Sequence, residues 1–345
     1  MKNRRNPFLE LFLARMREFA REPEVIFWVF GFPILLAVGL GIAFRNKPPD
    51  VIAVGVVDGP GAEAALRALG SAEGFQVEST PSEEAGARLR LGKISILVLP
   101  GDPVEYRFDP TRPEGVLARQ RVDDALQRAA GRRDPVRVRE SPTTEAGARY
   151  IDFLIPGLLG MNIMSGGMWG VGFVLVEMRS RKLLKRMIAT PMRRSHFLGA
   201  MMGSRMVLVF VEMLLLLAFG RLVFKMVVQG SLATIALLAL LGAFVFSGLG
   251  LLVASRAQKI ETVSGLMNLV MLPMFVLSGI FFSAERFPAA AQPFVRALPL
   301  TALNDALRAV ILEGAGLASQ AGRIALLAAW GVLSFLLALR FFRWT

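Results

Sequence analysis

Residues 177–205 read EMRSRKLLKRMIATPMRRSHFLGAMMGSR, a basic segment between two long apolar runs. It holds eight basic residues (Arg179, Arg181, Lys182, Lys185, Arg186, Arg193, Arg194 and Arg205) against one acid, Glu177. Basic charge flanking membrane spans stays on the cytoplasmic side, so this stretch orients everything on either side of it. Its apolar residues Leu183, Leu184, Met187 and Ile188 recur at helical spacing among the cations, the pattern of a helix lying on a surface.

Working outward, the chain has 345 residues, 54% of them hydrophobic, a mean hydropathy of +0.52 and a formal net charge of +13. That is more apolar than a soluble chain of this size needs, and it defines an integral membrane protein. The positive charge is not a nucleic-acid face. Residues 45–152 carry 16 Lys+Arg against 17 Asp+Glu, and the excess sits in segments expected on the cytoplasmic side: the N-terminus, 177–205, 256–261 and Arg340 with Arg343.

Residues 8–21, FLELFLARMREFAR, place Leu9, Phe12, Met16 and Phe19 on one stripe, predicting an interfacial helix within the N-terminal segment 1–24. Residues 25–44 carry no charge and match the ~20 residues that cross a bilayer core; Pro33 predicts a kink there. No cleavage site follows, so the run reads as a retained first span. Residues 45–150 then alternate strand-like and helix-like patterns (VIAVGVVD, GAEAALRAL, FQVES, SEEAGARLRL, ISILVLP), the rhythm of an α/β domain, continued by VEYRF, a helix opened by Pro113 and a last strand VRVRE. With the first span leaving the cytoplasm, this domain is expected to be extracytoplasmic.

Residues 151–345 supply five more spans, at 153–176, 206–224, 231–255, 265–283 and 324–339, with both termini cytoplasmic. Gly166 and Gly170 have the spacing that lets helices pack closely. Residues 284–323 are half apolar and broken by Pro288, Pro293 and Pro299, too short in each piece to span, and read as external re-entrant half-helices. The expected fold is thus a six-span α-helical membrane protein with an α/β domain inserted between the first and second spans.

Catalytic chemistry is poorly provided for. The chain has no cysteine and a single histidine, His196, which reads as a loop residue. The nearest approach to a phosphate loop, GARLRLGKI at 86–94, has one residue too many between its glycines and Ile94 where a hydroxyl belongs; it reads as a helix end. No nucleotide, metal or other cofactor site is expected on this chain. Inside the spans, Glu212 lies seven residues from Arg205 on nearly the same helical face, so it reads either as a carboxylate held by that arginine or as a polar point on a translocation path. Asn162, Ser247 and Asn268 read as interhelical hydrogen-bonding residues or substrate contacts, and Met161, Met164, Met168, Met267, Met271 and Met274 as gap-fillers or the lining of an adaptable cavity.

LLKRMIATPMRRSHFLGA, residues 183–200, resembles the cytoplasmic loop of type-2 ATP-binding-cassette exporter permeases, with its Thr-Pro pair at Thr190 and Pro191. LPLTALNDALRAVILEG, residues 298–314, is similar to their external signature, with Pro299, Asp305, Arg308 and Gly314 in place. The order of parts also resembles the members with an extracytoplasmic domain after the first span. Where many members have Gly-Thr-Leu before the Thr-Pro loop, this chain has Lys182, Leu183 and Leu184, so no substrate subgroup follows.

The resemblance implies a bacterial inner-membrane permease that dimerises, as a homodimer or with a paralogue, and pairs with a separate ATPase subunit holding ATP and Mg²⁺. Lys182, Lys185, Arg186, Thr190, Pro191, Arg193 and Arg194 would then form the coupling loop docked on the ATPase. With few buried charges in the spans, the expected cargo is hydrophobic or amphipathic, a drug or lipid-like compound, and membrane lipid is a further partner. Two other classes stay open from sequence: a membrane-anchored assembly protein acting through residues 45–150, and an ion-coupled secondary transporter.

Overall fold

The computed structural model describes residues 7–43, 51–136, 147, 149–188 and 194–341. They form two compact units, one built from residues 1–45 and 144–345, the other from 46–143.

The first unit contains six helices long and apolar enough to cross a membrane: Pro23–Ala43, Tyr150–Ser180, Gly199–Phe224, Leu232–Ala254, Ile260–Leu277 and Leu317–Phe341. They are called the first to sixth spans below. An amphipathic helix, Pro7–Arg21, precedes them. In lipid, apolar surface alone gives no drive for helices to associate, so close packing and internal hydrogen bonds must do it. The second and fourth spans show how: a Cβ at Gly167 would stand 2.6 Å from the Cβ of Phe246, and one at Gly172 would meet the Gly250 backbone. Only hydrogen side chains let these two helices touch so closely.

The second span is more buried than any other except the fourth, which equals it, and the two form the centre of the unit. The six methionines singled out above are all buried in its core, as gap-fillers among Leu158, Phe246 and Leu303. Two spans contain π-helical turns, at Phe27–Gly31 and Met168–Phe173. The distortion expected at Pro33 thus falls one turn earlier, in the π turn.

The fifth span ends at Leu277, not near residue 283, because Ser278 leaves helical geometry and Gly279 takes φ 70°. Between the fifth and sixth spans lie two short helices, Gln292–Ala297 and Pro299–Glu313. Pro299 opens the second at a position where its missing N–H costs nothing, and Gly314 closes it in the left-handed conformation, φ 68°. Neither is long enough to cross a membrane.

The second unit is a four-stranded sheet, order β2-β1-β3-β4, from β1 (Ile52–Val57), β2 (Phe75–Thr80), β3 (Ile96–Leu99) and β4 (Glu105–Arg107). β1 is parallel to β2 and β3, and β4 is antiparallel to β3. Helices Ala62–Gly70 and Pro113–Ala129 cover one face over Val54, Val56, Ile96 and Val98, while Ser82–Arg90 covers the other over Val57 and Leu97. Burial on both faces explains why β1 is an unbroken apolar run. The expected strand VRVRE falls at its second to fifth residues on 137–140, outside the described residues.

In this unit the Tyr106 hydroxyl donates to Asp123 at 3.1 Å, and burial, with the Asp123 carboxylate second, pushes its pKa up to about 12. A phenol whose pKa is raised by folding contributes stability that is present below its ordinary value near 10 and lost as pH climbs through 12. The chain has two tyrosines. In an ultraviolet titration, the phenolate absorbance that disappears in Tyr106→Phe is therefore expected to have its midpoint near pH 12, and a midpoint near 10 would contradict this packing.

Candidate functional site: the basic face and its buried ion pair

The second span runs to Ser180, and Lys182, at φ 58°, turns the chain into a short helix, Leu183–Ile188. Leu184 is buried while Arg186 is exposed, so this helix presents at least one cation outward from an apolar footing. Lys185 lies within it. Thr190, Pro191 and Arg193 fall outside the described residues, and a helix resumes at Arg194 and continues without a break to Phe224. His196 is accordingly in a helix rather than in the loop expected for it.

The amphipathic helix lies against this same helix. Phe8 packs at Gly199, and Phe8 and Phe12 approach Gly203, so two glycines one turn apart form the seat for two stacked rings. On the other side, the Arg179 guanidinium donates to the carbonyls of Ala254 and Ser255, at 3.0 and 3.4 Å, and of Ala257. The carbonyls of Ala254 and Ser255 end the fourth span, where a helix leaves its last acceptors unsatisfied and its dipole favours a cation, and Ala257 follows in the loop. Residue type alone marked Arg179 as one more loop cation; its role depends on a helix end 75 residues away in sequence.

Deeper in the unit, Arg205 and Glu212 form a two-pronged ion pair, 2.7 and 3.1 Å, with side chains 6% and 1% exposed. Seven residues are almost two full turns, which brings both onto one face, and a long arginine spans the ~10.5 Å of rise between them. Arg205 also donates to the Asn162 carbonyl at 3.2 Å, and the Asn162 side-chain amide donates to the Val29 carbonyl at 2.8 Å. Val29 sits in the π turn of the first span. The network therefore ties the first, second and third spans together.

Gly166 makes it possible, since a Cβ there would overlap the Arg205 guanidinium. Gly166 and Gly170 thus accommodate a side chain instead of a neighbouring helix, which corrects the reading of that pair as a helix-packing motif. Of the three polar residues considered for a path, Glu212 and Asn162 are in this network, whereas Asn268 is exposed on the fifth span beside Leu269. The structure does not bring Asn268 to the others.

At the opposite end of the spans, Arg308 of the Pro299–Glu313 helix lies 3.6 Å from the Phe153 ring centre, donates to the Phe153 carbonyl at 3.3 Å and to the Gly279 carbonyl, and has Asp305 at 4.0 Å. One turn earlier, Asn304 donates to the Ser278 carbonyl at 2.8 Å. These two side chains pin the half-helix to the ends of the second and fifth spans. Arg149 makes a two-pronged pair with the buried Asp152 at the start of the second span. Among the described residues no group of acids or histidine has the arrangement of a metal site.

Six helices long and apolar enough to cross a membrane, with charged residues engaged in holding them together, define a multi-pass membrane protein. The model of the ABC-2 family transporter proteins matches residues 23–340, and the chain belongs to that family. It is also 29% identical over 197 residues to ABC transporter G family member 20 of Dictyostelium discoideum, a match covering 55% of this chain and 26% of that protein. This chain therefore spans about a quarter of that relative's length.

Proposed function

We propose that this chain is the permease subunit of an ATP-driven exporter, working as a dimer and energised by a separate ATPase subunit that carries ATP and Mg²⁺. The observation that carries the reading is mechanical. The short Leu183–Ile188 helix is followed, across 189–193, by a helix that is itself the third span, seats the amphipathic helix at Gly199 and Gly203, and holds the buried Arg205–Glu212 pair. A push on that face would move three spans as one body, which is what nucleotide-driven closure of a docked ATPase requires.

In this reading Lys182, Lys185, Arg186, Thr190, Pro191, Arg193 and Arg194 form the coupling surface, the basic ends and both termini lie in the cytoplasm of a bacterium, and residues 45–150 lie outside. Membrane lipid surrounds the spans, and the cargo is hydrophobic or amphipathic, a drug or lipid-like molecule, since the buried charges are already engaged by one another. The Pro299, Asp305 and Arg308 region would then hold the outer ends of the spans.

The test is recovery of an ATPase subunit with the full chain, extracted gently from its native membrane, beside Arg186→Glu. Reversing one exposed charge at a docked surface is expected to lower ATPase recovery about tenfold. Absence of any ATPase from the intact protein under several mild extractions would end the exporter reading.

A further inference from the structure

A groove of about 370 Å³ lies among the ends of the fourth, fifth and sixth spans nearest Ser255, lined by Leu252, Leu266, Leu269, Val270 and Phe341, with Arg256 beside its polar end. Leu266, Leu269 and Phe341 are exposed there, on a surface that faces hydrocarbon once the spans are in a bilayer. The Arg256 guanidinium lies 5.3 Å from the Phe341 ring centre. At that distance the ring face attracts the guanidinium without using its N–H donors. Lys259 and Arg340 are exposed close by in sequence to the lining residues, and Glu261 is the only acid from residue 213 to 284. Among the described residues no carboxylate is paired with Arg256, Lys259 or Arg340.

We propose that this groove binds a glycerophospholipid with a net negative headgroup, one acyl chain lying along Leu252, Leu266, Leu269 and Val270 and the phosphate held by Arg256. The chemistry is specific at both ends. The walls are aliphatic and open to the bilayer, as an acyl chain needs, while the polar end carries the Arg256 guanidinium, which has no carboxylate partner among the described residues, at the depth where a span gives way to its loop, as a phosphate needs. Zwitterionic lipids bring their own cation toward Arg256 and are disfavoured. On the orientation proposed above the lipid belongs to the inner leaflet. The inference needs only that the spans sit in a membrane, and it holds whether or not the chain exports anything.

The experiment is native mass spectrometry of the purified full chain in mild detergent, with phosphatidylglycerol, phosphatidylcholine or glycerol phosphate added. A cation near the headgroup plane is worth about a fivefold preference. The wild type is expected to retain phosphatidylglycerol about fivefold over phosphatidylcholine, Arg256→Gln to lose that preference, Arg256→Lys to keep part of it, and Leu269→Trp, which fills the groove, to retain less of both lipids. Equal retention of the two lipids by the wild type, an unchanged preference in Arg256→Gln, or displacement of the lipid by glycerol phosphate at matched concentration would each overturn the proposal. Because the readout is binding and involves no ATPase, a failure of the transport reading leaves this result unaffected.

Discussion

Glu212→Ala is expected to destabilise the detergent-solubilised chain by about 3–5 kcal/mol, measured as a fall in the midpoint of thermal unfolding. The substitution removes one carboxylate and leaves the Arg205 guanidinium buried against Gly166 with the Asn162 carbonyl in place of a counter-charge. Most of the loss comes from that stranded charge rather than from the attraction itself, so removing both partners should cost much less. Arg205→Met combined with Glu212→Leu is expected to recover more than half of the stability lost in the single variant. Equal damage in the single and double variants would mean that the pair does not act as a unit.

Arg308→Leu should cost about 3 kcal/mol, read in the same assay. It leaves the buried Gly279 carbonyl without the Arg308 donor, at about 1–3 kcal/mol, takes a second donor from the helical Phe153 carbonyl, and removes the guanidinium from the Phe153 ring. Arg308→Lys is expected to rescue little, because an ammonium cannot lie flat on a ring while reaching two carbonyls in different directions. A lysine variant as stable as wild type would show that charge alone matters there. Since Arg308 links the half-helix to the second span, limited proteolysis near residues 279–291 should also quicken in both variants.

Much of the architecture is legible in the amino-acid sequence. The spans follow from runs long enough to cross a bilayer, and the α/β unit from a strand–helix rhythm whose central strand is apolar throughout. The Arg205–Glu212 contact is accessible as well, because both residues lie on one helix, where spacing determines facing. What spacing does not reveal depends on other elements. Arg179 matters through the end of the fourth span, Gly166 through an arginine on the third, and Asn162 through a carbonyl of the first. Asn268 is equivalent to Asn162 in hydropathy, and only packing separates a residue inside the bundle from one on its outer surface. The Thr190–Pro191 pair, central to the family resemblance, lies outside the described residues.

The π turn at Met168–Phe173 sets the phase of the second span. Such a turn accommodates one residue more than regular α-helix, so the halves before and after it are offset by roughly 100° from what an unbroken helical wheel would give. Asn162 faces the first and third spans from one half, while Arg179 faces the end of the fourth from the other. A single-residue deletion inside 168–173 would convert the turn to regular α-helix and keep Arg179 on its carbonyls, whereas one further residue inserted between Asn162 and Arg179 would leave hydropathy almost unchanged yet rotate Arg179 away by about 100°. The span thus works as a keyed shaft, in which the number of residues between two polar teeth matters more than their identity.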